Sequence, residues 1–311
     1  MRAAITLAVL SVLLVWLPLD ELGGAIRRVR AWVWLGVLAC ALLAHLMAAF
    51  KWRLLLRACG LRPGLTEALR AHLAGLFANL CLPSLVGGDL VRAGMLLRQH
   101  RAAPLAVGSL ADRVLDTTGL VLLSAVGALW FPDVVGELAL EILGVAVLAL
   151  AAGTLLAPLA LRRLDPAWLP PRLGAIAVRL REAVDALARR PAAAAAALAI
   201  SLAVQASYVA LNAWLGRIVG IEVPLAAWYL LWPLAKLVAL IPISLGGIGL
   251  REAALAGLLA PLGVPPPLAV AQGLVWDSIT IATGLAAGGV SLWMRKLPGQ
   301  RERALAGREA A

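Results

Sequence analysis

Soft metal ligands and imidazoles are scarce in this chain, whose 311 residues include three cysteines and three histidines. Cys40, Cys59 and Cys81 suit neither a disulfide framework nor a metal-binding spacing, and they read as small apolar fillers. His45, His72 and His100 stand apart with no second ligand beside any of them, so no metal centre is expected. Charge is thin as well, at 14% of residues. There is no hydrolytic triad, P-loop or nucleotide-binding pattern, so the expectation is a non-enzymatic protein without a cofactor.

What the chain has instead is apolar bulk: 62% of its residues are hydrophobic and its mean hydropathy is +0.92. A soluble core cannot absorb that much apolar surface, so an all-α polytopic membrane protein is expected, built as a single domain over 1–311. The net charge of +11 does not point to nucleic acid. The basic residues sit between hydrophobic runs, where the positive-inside rule accounts for them. At the N-terminus a short apolar run meets Asp20 and Glu21 without a small-x-small cleavage site, which reads as an uncleaved first span.

Apolar runs fall at 3–19, 31–50, 71–91, 104–130, 138–161, 192–216, 225–262 and 267–293. Six approach the ~20 residues that a spanning helix needs, and the other two, 71–91 and 225–262, are broken by proline and paired glycines. Segments 51–70, 92–101 and 162–190 are rich in arginine, as is the tail at 295–311, whereas 131–141 carries Asp133, Glu137 and Glu141. The basic segments are therefore assigned to the cytoplasm, with both termini on that side of the membrane. The loop 20–30, with Arg27, Arg28 and Arg30, is the one misfit. Within 162–190, the residues Leu173, Ile176, Leu180, Val184 and Leu187 form one helical stripe. Either an interfacial amphipathic helix or a solvated linker helix fits that pattern.

Run 71–91 has cytoplasmic charge on both sides, and the 28 residues from 71 to 98 give about 42 Å of helix, too little to cross ~30 Å twice. A re-entrant hairpin turning at Pro83 to Gly88 is expected. Run 225–262 enters and leaves from the outside, as a second hairpin or as two full crossings. The two breaks also match each other: Pro83-x3-Gly87-Gly88-x3-Arg92 repeats as Pro242-x3-Gly246-Gly247-x3-Arg251. Downstream, Asp112-x5-Thr118-Gly119-Leu120 repeats as Asp277-x5-Thr283-Gly284-Leu285. Two related units of opposed orientation predict an inverted repeat, with a site where the broken helices meet.

A Pro–Gly-Gly break starts a new helix whose first N–H groups point outward, and lipid tolerates such a break only where protein or water covers it. Gly87, Gly88, Gly246 and Gly247 are accordingly expected to face a cavity that attracts anions, phosphate above all, with Arg92 and Arg251 adding charge. Asp89, Asp112, Arg113, Asp116, Lys236, Glu252 and Asp277 also fall in apolar regions. Each would cost about 2.5–3.5 kcal/mol against lipid, so mutual pairing is expected. Asp112 and Asp116 share a helical face, and Arg113 can reach Asp116. That group reads equally as structural glue or as part of the function.

The stretches "AAFKWRLLLRACGL" (48–61), "NLCLPSLVGGDLVRAGML" (79–96), "GSLADRVLDTTGL" (108–120) and "IPISLGGIGLREAAL" (241–255) resemble the transmembrane region of lysylphosphatidylglycerol synthase, also called the flippase-like or YbhN-like membrane family. The resemblance implies lipid transport and carries over Arg92, Arg251, Glu252 and the glycine pairs as motif positions. No soluble acyltransferase-like domain follows, so lysyl-lipid synthesis is not expected. The expected partners are membrane lipids with a phosphate-bearing head group. An alternative is an accessory protein that presents a lipid carrier to a glycosyltransferase or another lipid-pathway enzyme, in glycolipid, polyprenyl-linked sugar or hopanoid synthesis.

Overall fold

The computed structural model describes residues 18–82, 87–130, 132, 137–240 and 249–295, and among them every regular element is helical. In chain order these are α1 (Leu19–Arg27), α2 (Ala31–Ala58), α3 (Leu65–Cys81), α4 (Gly87–Leu96) and α5 (Ala102–Trp130). Next come α6 (Glu137–Ala151), which runs through one π turn into α7 (Ala157–Arg163), and then α8 (Pro171–Ala188) and α9 (Pro191–Val219). The last are α10 (Leu225–Ala239), α11 (Leu250–Leu259) and α12 (Pro266–Arg295).

Five of these stretches are long and apolar enough to cross a membrane: α2, α5, Ala139–Arg163, α9 and α12. They coincide with five of the six spans expected from hydropathy. The sixth, at 3–19, lies almost wholly outside the described residues. Ala139–Arg163 is the most telling, because none of its most apolar window is buried by the rest of the chain. Bare leucines such as Leu129 and Leu148, 81% and 71% exposed, are at home against acyl chains and not in water.

The interrupted runs give short helices. At 1.5 Å per residue, the 17 residues of α3 reach about 25 Å and the 10 of α4 about 15 Å, each less than a ~30 Å hydrocarbon core. The 15 residues of α10 and the 10 of α11 fall short in the same way. The breaks at 83–86 and 241–248, including Pro83, Pro242, Gly246 and Gly247, lie outside the described residues.

Glycine lets α3 and α4 lie against each other. A Cβ on Gly75 would stand 2.7 Å from the Gly88 carbonyl oxygen, and one on Gly88 would overlap the Gly75 carbonyl and the Asn79 side chain. Asn79 Oδ1 also accepts the Gly88 N–H at 2.9 Å, so one donor of this helix start is already used. Packing between the two halves is reciprocal: α3 lies along α12, and α10 lies along α5. Phe77 and Leu80 of α3 rest on Gly288 and Gly284, while the backbone of Tyr229 and Leu230 crosses Gly127. The first broken segment thus buttresses the last span, and the second buttresses the span of the first half.

Two basic loops look different once folded. Arg28, part of the misfit at 20–30, donates to the Val219 carbonyl at 3.0 Å, where α9 ends at left-handed Gly220 (φ 108). A cation at a helix C-terminus is favourable in itself, so this charge carries little topological information. Lys51 was counted with the loop 51–70, but α2 continues to Ala58 and Lys51 is 1% exposed. In α8 the protein-facing stripe is small, with Gly174, Ala177 and Ala183 buried, while Leu173 and Ile176 remain about half exposed.

Substituting Gly75 with Leu should destabilise the folded protein by about 1–3 kcal/mol or more, the cost of overpacking a closed contact. Gly94→Ala, which meets nothing within 4 Å, should be neutral or slightly stabilising. Thermal unfolding of both variants in detergent checks the contrast.

Candidate functional site

Each half of the molecule holds the same ion pair. In the first, the Arg92 guanidinium of α4 donates to Asp112 Oδ2 of α5 at 2.8 Å. In the second, Arg251 of α11 donates to Asp277 Oδ1 of α12 at 2.6 Å. These are the arginines and aspartates that the two sequence motifs match. The downstream threonines match as well, with Thr118 and Thr283 each returning a hydrogen bond to the carbonyl four residues earlier. The sequence pattern is therefore also a contact pattern, in which the arginine after each break grips the span that follows.

The first cluster extends well beyond its pair. Arg92 is 5% exposed, lies 2.9 Å from Asp89 Oδ1, and stacks its guanidinium 4.7 Å from the Trp52 ring centroid. Arg113, placed by local spacing near Asp116, reaches Asp89 on α4. Lys51 lies 3.1 Å from Asp112 and 2.5 Å from Asp116, with Ser201 of α9 bridging Lys51 and Asp116. Four elements, α2, α4, α5 and α9, are joined by this network.

The second cluster is smaller. Glu252 is 1% exposed; its Oε2 accepts the Gly249 N–H at 2.6 Å while its Oε1 accepts Arg251 at 2.7 Å. Glu252 therefore holds the start of α11 as a reach-back cap and fixes the guanidinium at once. Gly273 of α12 makes room, since a Cβ there would stand 2.5 Å from the Glu252 side chain.

Beside the first cluster is a cavity of about 190 Å³. Its walls include Gly88, Asp89 and Arg92 from the first interrupted run, Asp112, Arg113 and Asp116 from α5, and Lys236 from the second interrupted run. Arg251, Glu252 and Asp277 are not among its lining residues, and Gly246 and Gly247 lie outside the described residues. Gly87 is buried against Leu82 and does not line it either. Lys236 donates to Gln205 at 2.9 Å and lies 5.1 Å from the ring centroids of both Tyr208 and Trp232. Among the described residues it forms no ion pair. With Lys51 behind the wall, the cations Lys51, Arg92, Arg113 and Lys236 outnumber the carboxylates Asp89, Asp112 and Asp116 by one.

Sequence reasoning missed Lys51, the histidines and the amides. His45 and His72 both line the cavity, with ring centroids 5.9 Å apart, and His45 Nε2 is 3.3 Å from the Tyr208 hydroxyl. For Lys51 a signal was available. The buried stripe Ala41, Ala44, Ala49 and Trp52 continues the α2 helix past residue 50 and carries position 51 inward. For Gln205 and the histidines there was none, because their partners come from other helices.

The family described as "Lysylphosphatidylglycerol synthase TM region" matches residues 3–288 of this chain. No curated protein and no solved structure matches it. Five apolar helices and that match make the chain a multi-pass membrane protein.

Asp112→Asn should cost about 1.5–3 kcal/mol in detergent unfolding, because Arg92 and Lys51 each lose one of two carboxylate partners and keep Asp89 and Asp116. The double variant Arg92→Met with Asp112→Leu should cost clearly less than the two single changes summed.

Proposed function

Because the chain belongs to the lysylphosphatidylglycerol synthase TM-region family, we propose that it carries a lipid between the two leaflets of a membrane. On this reading α3–α4 and α10–α11 are re-entrant hairpins of an inverted repeat, and the lipid head group enters between them while its acyl chains stay in the bilayer. The phosphate of the head group pairs with the Lys236 ammonium on the cavity wall. The observation that carries the proposal is Lys236: a cation on the wall of a cavity, held by an amide and two aromatic rings and, among the described residues, in no ion pair.

The physics favours a phosphate there over a cationic group. An unpaired cation in a low-dielectric setting gains far more from an anion than it would in water. The Arg92 and Arg113 guanidiniums lie on the same wall, and such groups bind phosphate oxygens through parallel N–H donors. Arg251, tied to Glu252 and Asp277, acts on this reading as the second hairpin's anchor, and Arg92 with Asp112 does the same for the first. The proposed setting is a bacterial inner membrane with both termini cytoplasmic. There the exposed Leu173 and Ile176 of α8 rest at the lipid surface, flanked by Arg172 and Arg179.

Purified protein reconstituted in liposomes should accelerate the loss of a labelled phospholipid from the inner leaflet, measured by dithionite quenching. Lys236→Met should slow that movement about tenfold or more, the worth of one charge-assisted contact, while leaving thermal unfolding close to wild type. Lys236 is the suitable residue because its removal strands no carboxylate. Wild-type protein indistinguishable from empty liposomes would overturn the proposal and leave presentation of a lipid to a partner enzyme as the better account.

A further inference from the structure

The second ion-pair cluster does not balance. Glu252 and Asp277 carry two negative charges and share one cation, Arg251, whose Nη2 donates to Glu252 Oε1 at 2.7 Å and to Asp277 Oδ1 at 2.6 Å. The other Glu252 oxygen accepts the Gly249 N–H. Asp277 Oδ2 has no such donor. It is buried and, among the described residues, accepts no hydrogen bond, in a residue that is 8% exposed overall. The matching aspartate of the first half is served differently: Asp112 meets Arg92 through Oδ2, and its Oδ1 lies 3.1 Å from the Lys51 ammonium. Among the described residues no second cation reaches Asp277. The stretch 241–248, IPISLGGI, has no ionisable side chain to supply one.

We propose that Asp277 Oδ2 is a proton-binding site, and that its proton decides whether the second broken segment is held to the last span. A buried carboxylate in a cluster with excess negative charge is costly, and neutralising it removes that cost. A metal ion would need a shell of oxygens, and only one here is free. A proton needs no shell, and it turns an unmet acceptor into an O–H donor. The elements packed against α12 are α1, α2, α3, α9 and α11. Beyond Arg251 and Glu252 of α11, the titratable groups on the cavity side are His45 of α2, His72 of α3, Tyr208 of α9 and, from α10, Lys236. Tyr208 stands edge-on to Trp276, none of these four pairs with Asp277, and α1 brings no ion pair to it. Arg251 and Glu252 sit on the same helix, so their pair travels with α11. The contact to Asp277 is, among the described residues, the one ion pair from α11 to α12. With a proton on Oδ2, Arg251 keeps Glu252 at one charge each, and the link across to α12 loses its ionic character. A hydrogen bond without the carboxylate charge is roughly half as strong. Losing the proton restores the clasp.

Proton binding stands on this geometry alone, whereas its effect on transport rests on the lipid-translocation reading above. Both are measured on the full chain in liposomes. In infrared difference spectra, lowering the pH from mildly alkaline to mildly acidic should give the wild type a protonated-carboxyl C=O band that Asp277→Asn lacks. Asp277→Glu should shift the frequency of that band without removing it, which keeps the site testable even if the asparagine variant unfolds. Over the same range, movement of a labelled phospholipid by the wild type should speed up about tenfold as the clasp weakens. Asp277→Asn, which mimics the protonated acid, should move lipid at the acid rate at every pH. No band in the wild type, or a band unchanged in both variants, would overturn the proton site and leave the translocation reading to its own assay. A band that behaves as expected with lipid movement independent of pH would overturn the clasp. If the band behaves as expected and no lipid moves at any pH, the translocation reading falls and the proton site stands.

Discussion

A guanidinium group cannot stand alone in hydrocarbon, and that constraint organises this molecule. Arginine inside a membrane protein must bring its counter-charge with it, at a cost of several kcal/mol if it fails. Here each arginine that follows a helix break takes an aspartate from the next long span: Arg92 takes Asp112, and Arg251 takes Asp277. Neither α4 nor α11, at 10 residues each, is long enough to be held by lipid alone. Their attachment is electrostatic and local, and it fixes where each broken segment sits against its neighbour.

From that shared arrangement the two halves diverge. In the second, Glu252 caps its own helix and grips Arg251. In the first, the extra charges Lys51, Arg113 and Asp116 extend the network, and a cavity lies beside them. The same contact borders a cavity in the first half. Reciprocal packing, α3 along α12 and α10 along α5, makes the two halves interdependent, because each broken segment is supported by a span from the other half.

The aromatic residues of the interior belong to the same logic. Trp52 covers Arg92, while Tyr208 and Trp232 cover Lys236, and Trp276 stands edge-on to both of the latter rings. An aromatic face stabilises a cation without neutralising it. Among the described residues Lys236 thus stands outside any ion pair, whereas Arg251 is held by two carboxylates.

Much of this was legible in the chain itself. Hydropathy located five spans and two interruptions, because a ~30 Å hydrocarbon layer imposes its thickness directly on sequence. The repeated Pro, Gly-Gly, Arg and Asp spacing picked out the residues of both buried ion pairs, but not which arginine meets which aspartate. Hydropathy alone put Lys51 with the following loop, although the helical stripe through Trp52 runs on past residue 50 to Ala58. Only tertiary structure could show that Arg28 ends against α9, that Arg113 reaches Asp89 on a different helix, and that His45, His72 and Lys236 line one cavity. The physical reason is distance along the chain. Local spacing determines which residues share a helix face, whereas residues on separate helices, from 45 to 236, meet only when the helices pack.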